Sequence, residues 1–181
     1  TCALPIYPPK MVLVDPLTLS TLPKRHFANG MAEMIKYGMI ADRELFVALK
    51  ENNVMEMLEW AIHRSIEIKK SFVEKDEQDE GERRLLNFGH TFGHAIETYY
   101  NYEKYLHGEA VAIGMVRIIQ NDQIRKELVS VLRKYDLPTE DPVSVDELKP
   151  YILKDKKHRA GKNIYVDIEA IGKAFIRSLD L

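Results

Sequence analysis

Apolar and polar positions follow a helical period through most of the 181 residues, and only two segments read as strands. Met11 to Val14 form a short apolar run closed by Asp15-Pro16, the pattern of a buried strand entering a turn. Asn163 to Ile168, rich in β-branched and aromatic residues, is the other candidate. Two strands at opposite ends of a chain make no self-sufficient sheet. Between them a first helix is expected from Thr21-Leu22-Pro23, where Thr can cap and Pro suits the first turn, to Ile40. Asp42 can cap a second helix ending near Glu51. A third runs from about Val54 to Val73, with Met57, Leu58, Ile62, Ser65, Ile66 and Lys69 on one face. The acidic segment Asp76 to Glu82 reads as a solvated loop or helix start. A fourth helix is expected to contain residues 83–100, a fifth to start at or just after His107, and a short last one to lie around Val145 to Leu153.

Composition supports this mainly helical, single-domain reading and removes several classes of partner. A hydrophobic share of 45% is enough for one sizeable core in a chain of this length, and two full domains would be crowded. The net charge of -2 gives no basic excess for nucleic acid or a membrane surface. A single cysteine, Cys2, cannot form an internal disulfide, and no apolar run approaches the roughly 20 residues that span a bilayer. The first ten residues lack the pattern of a secretory signal. The expectation is a soluble, cytoplasmic protein.

The densest chemical signal is Asn87-Phe88-Gly89-His90-Thr91-Phe92-Gly93-His94. Histidines at i and i+4 share a helix face and can reach one metal or one substrate. The two glycines cost about 1 kcal/mol each inside a helix, so something must approach the backbone closely. Tight helix packing around a satisfied core histidine would explain the same residues. His107-Gly108-Glu109 adds a third imidazole after an aromatic-rich turn. Glu33 and Lys36 lie three apart on an otherwise apolar helix, where a buried carboxylate and ammonium need partners or a metal. One carboxylate with imidazoles is a plausible divalent-metal set that keeps positions open for substrate. Lys69 sits on the apolar side of its helix, and Arg83, Asn87 and His90 form a helical stripe of cation, amide and imidazole. Lys154, Lys156, Lys157, Arg159 and Lys162 surround a glycine-containing turn that could clamp a phosphate or carboxylate, or simply be exposed. Tyr99, Tyr100, Tyr102 and Tyr105 fit helix-end packing better than ligand stacking.

Four of these motifs, AEMIKYG, LLNFGHTFGHAIE, LHGEAVAIGM and DKK followed by a glycine, resemble in order and spacing the C-terminal, metal-binding half of 3-dehydroquinate synthase, an enzyme of the shikimate pathway of aromatic amino acid biosynthesis. The opening YPPKMVLVDPLTLSTLP resembles the segment joining that family's nucleotide-binding domain to its helical domain. The resemblance implies residues 1–18 as a remnant of the junction and 19–181 as a helical metal- and substrate-binding domain. It implies Glu33, His90 and His107 as ligands of zinc or cobalt, so that His94 becomes a nearby catalytic group and not a ligand. Lys36 and Lys69 would act in catalysis and, with Arg83, Asn87 and His94, hold the substrate; Lys156 or Lys157 would bind its phosphate.

The family's reaction converts 3-deoxy-arabino-heptulosonate 7-phosphate to 3-dehydroquinate and phosphate through a transient hydride transfer to bound NAD. The resemblance therefore implies a sugar-phosphate substrate, a missing N-terminal NAD domain and a homodimer in the complete protein. Three departures accompany it. No glycine-rich nucleotide loop follows a strand, Asp79 stands where the family commonly has Glu, and the stretch from Gly114 to Leu137 is shorter than usual. A sibling sugar-phosphate cyclase, or a non-catalytic helical module with a structural metal, is the alternative reading.

Overall fold

A computed structural model describes residues 10–78, 81–156 and 164–178. Among them are seven α-helices and one antiparallel hairpin: α1 (Lys24–Ala41), α2 (Arg43–Glu51), α3 (Leu58–Lys75), α4 (His90–Tyr99), α5 (His107–Ile118), α6 (Asp122–Lys134), α7 (Val145–Lys156), β1 (Ile164–Ala170) and β2 (Lys173–Ser178). The mainly helical expectation holds. No helix of the described residues is long and apolar enough to cross a membrane.

α5 is the centre of the core. Gly108 through Met115 are buried without interruption, so this helix has neighbours on every side and its all-round apolar sequence follows from its position. It packs against α4 on one side and α1 on another, while α2 and α3 lie on α1 and α7 lies on α4. The two glycines of the histidine motif serve this packing. A Cβ on Gly93 would sit 3.1 Å from the Val111 Cα, and one on Gly89 would sit 2.4 Å from the Met115 Cγ.

Several helix boundaries follow their local chemistry. Asp42 caps α2 as expected, accepting a hydrogen bond from the Leu45 amide while its other oxygen pairs with Arg64. Thr21 does not cap α1: it ends a 3-10 turn (Pro16–Thr21), and α1 begins after Pro23 with no side-chain cap. The third helix starts at Leu58, after a separate turn (Val54–Glu56). Its buried face is Leu58, Ala61, Ser65 and Phe72, so Ile66 and Lys69 lie on the exposed side.

Larger corrections concern the strands and the fourth and fifth helices. Met11 to Val14 form no strand and are exposed. The second expected strand forms as β1, its expected first residue Asn163 lying outside the described residues, and its partner is β2, directly after it in sequence, with Val166 opposite Ile176. A tight turn at Gly172, whose φ of 89° suits glycine and whose amide donates to the Met39 carbonyl, joins the strands and seats the hairpin on α1. Residues 83–100 are not one helix. A 3-10 turn (Glu82–Asn87) stops at Phe88, Gly89 adopts a left-handed φ of 78°, and α4 starts afresh at His90. Beyond α5 the chain breaks at Ile119 to Asn121 and makes a further helix, α6, capped by the Asn121 side chain.

The tyrosine-rich turn after α4 packs as helix-end structure. Asp141, buried in the α6–α7 connection, accepts hydrogen bonds from Tyr100, Tyr105 and Lys104 and from the Val143 amide. Burial alone would raise this carboxyl, but those donors, Lys104 first, hold it down at about 2.

Candidate metal and substrate site

Glu33 projects from the middle of α1, His90 from the first turn of α4 and His107 from the first turn of α5. The three come together: one ligand atom from each lies within 4.8 Å of the others. The break at Phe88-Gly89 is what places His90, because it ends one helical turn and restarts the chain against α5.

At α5 the start is fixed from α1. The Asn29 side chain accepts a 2.6 Å hydrogen bond from the Gly108 amide, and Arg25 grips Glu109 through two 2.7 Å bonds. Glu109 also accepts from the Leu106 amide, closing the helix start.

The protonation of His90 follows from its neighbours. Its Nδ1 lies 3.1 Å from the Phe88 carbonyl, which can only accept, so Nδ1 carries the hydrogen and Nε2 presents a lone pair. Burial, then the nearby Lys36 ammonium, pushes the ring's pKa down to about 4, so it is neutral near pH 7. That Nε2 lies 3.6 Å from Glu33 Oε1, a buried oxygen with no hydrogen-bond partner. Two acceptors facing each other without a hydrogen between them is an unfavourable arrangement that a cation relieves. Glu33's other oxygen pairs at 2.6 Å with Lys36, which is only 3% exposed. Burial would raise the Glu33 carboxyl, but the Lys36 ammonium, by its charge and its hydrogen bond, holds it below the usual range, and it stays ionised. Neutral imidazole, carboxylate and a second imidazole are a donor set that could hold a divalent metal, and the orphaned Glu33 oxygen fits such a role.

His94, one turn after His90, has its ring 5.3 Å from that of His90 and 5.9 Å from that of His107. It also forms a second trio with Glu97 and His107. Glu97 escaped the sequence reading, although His90, His94 and Glu97 at i, i+4 and i+7 share a helix face and spacing alone could have found it. Its carboxylate accepts from His107 Nδ1, with oxygens at 3.2 and 3.3 Å. This hydrogen bond raises His107's pKa despite partial burial.

The remaining expected site residues are distributed less tightly. Lys69 is exposed on α3, but its charge reaches Lys36 and helps burial to lower that ammonium's pKa. Arg83 and Asn87 lie half-buried on the 3-10 turn, so the break before α4 removes the single helical stripe expected with His90. Arg83 donates from its backbone to Asp76 and from its guanidinium to the Glu77 carbonyl. Lys156 ends α7, its side chain outside the described residues, as are Asp79, Lys157 and the rest of the basic loop to Lys162.

Known proteins agree with this architecture. The family described as 3-dehydroquinate synthase C-terminal matches residues 30–158. A 3-dehydroquinate synthase of Clostridium botulinum is 44% identical and one of Clostridium beijerinckii 45% identical, each alignment taking in 97% of this chain and 54% of the relative. The chain thus spans about half the length of the curated relatives it matches. Among solved structures, a 2-epi-5-epi-valiolone synthase from Streptomyces hygroscopicus subsp. jinggangensis 5008, with NAD+ and Zn2+ bound, superposes with a TM-score of 0.82 at 26% identity, covering 93% of this chain and 51% of that one. A 2-deoxy-scyllo-inosose synthase complexed with carbaglucose-6-phosphate, NAD+ and Co2+ gives 0.74 at 25% identity, covering 93% and 52%.

Proposed function

The chain belongs to the 3-dehydroquinate synthase C-terminal family, and from that membership we propose that it is the metal- and substrate-binding half of a 3-dehydroquinate synthase, converting 3-deoxy-arabino-heptulosonate 7-phosphate to 3-dehydroquinate together with a nucleotide-binding half. The observation that carries this reading is the buried, unpartnered Glu33 Oε1 facing the lone pair of His90. Glu33, His90 and His107 are the residues that would hold zinc or cobalt, which when bound would supply Lewis acidity at a substrate hydroxyl; the redox chemistry would come from NAD held by the other half. In this reading residues 1–18 are the end of the junction between halves, supported by the exposure of Met11, Val12 and Leu13 at 80%, 73% and 86%.

The chain's own residues then bind, orient and move protons. Lys36 holds Glu33 in its ionised form and presents the only ammonium buried against the trio among the described residues. Lys69, Arg83 and Asn87, on the elements preceding α4, would take the substrate's carboxylate and hydroxyls, and Lys156 or Lys157 its phosphate, fixing one chain through successive steps. His94, beside both ligand imidazoles, is placed to take a proton from the substrate and return it. The 44–45% identity to 3-dehydroquinate synthases, against 25–26% to the two sibling cyclases, favours this substrate over theirs.

Two measurements test the proposal. Zinc content and affinity of the purified chain should fall at least about 100-fold in His90→Ala; undiminished binding overturns the ligand set. The chain fused behind the nucleotide-binding half of the Clostridium botulinum relative should release phosphate and form 3-dehydroquinate. A different carbocycle from a different sugar phosphate would move it to a sibling activity.

A further inference from the structure

His107 is the weakest-held member of the trio. It stands at the first residue of α5 with its side chain 45% exposed, whereas the His90 side chain is 14% exposed and its ring is hydrogen-bonded to the neighbouring Phe88 carbonyl. Packing therefore restrains the His107 ring little, and a half-exposed imidazole rotates freely about both side-chain bonds unless something holds it. The ring's Nδ1 is hydrogen-bonded to Glu97. That carboxylate is itself 9% exposed and sits on the face of α4 that carries His90 and His94. With both its oxygens beside Nδ1, it can only accept, so the hydrogen is on Nδ1 and the nitrogen left for a metal is Nε2.

We infer that Glu97 is a positioning residue for the metal centre: its buried carboxylate fixes the tautomer and rotation of His107, aiming Nε2 toward Glu33 and His90. The inference rests on the metal reading above and goes beyond it, because that reading assigns Glu97 to neither metal nor substrate. It also explains a difference between the two imidazoles. His90 is oriented by the neutral carbonyl of Phe88, two residues before it, but His107 is oriented by a full negative charge from another helix, which makes its Nε2 the stronger donor of the two. It further explains why an acid is kept in the closely packed interface of α4 and α5, where an alanine or leucine would pack without desolvating a charge.

The test uses the 181-residue chain with Glu97→Gln and Glu97→Ala, each probed in two ways. Without metal, two-bond nitrogen–proton NMR spectra of the histidine rings report the tautomer. Wild type and Glu97→Gln, whose amide oxygen still accepts, should show His107 protonated at Nδ1, and Glu97→Ala should show a tautomer mixture. With Co2+, chelator competition should give Glu97→Ala an affinity about 10- to 100-fold weaker than wild type and a changed visible absorption band, and Glu97→Gln should recover most of both. Near-ultraviolet circular dichroism of Glu97→Gln confirms that the fold persists. If Glu97→Ala keeps both the tautomer and the wild-type Co2+ affinity, the positioning role is wrong while the metal site stands. If the wild-type chain binds no Co2+, the metal reading fails and this inference with it.

Discussion

Gly114 and Gly89 touch through their backbones: a Cβ placed on Gly114 would stand 2.1 Å from the Gly89 carbonyl oxygen. The contact lets α5 lie against the very turn from which α4 and His90 depart, and no side chain at residue 114 can be accommodated without separating them. Gly114→Ala should therefore cost about 3 kcal/mol in urea unfolding and weaken metal binding as well. Gly30, with nothing within 4 Å of its missing Cβ, is the control. Gly30→Ala in the same assay should gain about 0.5–1 kcal/mol through helix propensity.

Glu33 and Lys36 should prove strongly coupled in the metal-free chain. Glu33→Gln leaves the Lys36 ammonium at 3% exposure without its counter-charge, a loss expected at about 3 kcal/mol. Adding Lys36→Met removes the stranded charge and should recover most of that loss. Additive destabilisation in the double variant, measured by thermal unfolding at pH 7, would show that the pair is not desolvated as described.

Asp141 sets an acid limit. Its carboxyl is held at about 2 in the folded chain, against about 3.9 when unfolded, so the unfolded state binds the proton first as pH falls. The stabilisation is complete above about pH 4 and is lost between about pH 4 and pH 2. Urea titrations across that window should show a shallower loss for Asp141→Asn than for wild type, from a starting stability about 2 kcal/mol lower, because Tyr100, Tyr105 and Lys104 lose a charged acceptor.

Lys134, in the last turn of α6, donates to the Leu49 and Lys50 carbonyls at 2.7 and 3.0 Å and so closes the C-terminus of α2. Lys134→Met keeps the aliphatic stem and removes the donor. Its expected cost is about 1 kcal/mol, with hydrogen exchange at the end of α2 accelerating before that of α1.

What the sequence disclosed depended on whether the determining interaction was local. Asp42 before an apolar-periodic run and a histidine after an aromatic turn mark the starts of α2 and α5, since a cap or a chain entry is decided within a few residues. Glu33 and Lys36 stood out because charges are conspicuous on an otherwise apolar helix. The break at Phe88-Gly89 was hidden, because a 3-10 turn and an α-helix share their apolar spacing over one turn and only the approach of α5 decides between them. Met11 to Val14 has the composition of a strand without a strand beside it, and β2 has the reverse problem: a short, partly charged segment that becomes a strand because Gly172 folds it onto β1. Glu97 carries no signal of its own as a single acid near a helix end, although the face arithmetic with His90 and His94 marks it.

The clasp between α1 and α5 bears on the order of events when the chain folds. Asn29 and Gly108 are 79 residues apart in sequence, and Arg25 and Glu109 are 84 apart. Closing a loop of that length is entropically costly until the intervening helices have collapsed. The contacts by which α1 fixes the start of α5 are therefore expected to close after α2, α3 and α4 have found their places, so that the trio is completed late, on a framework already formed.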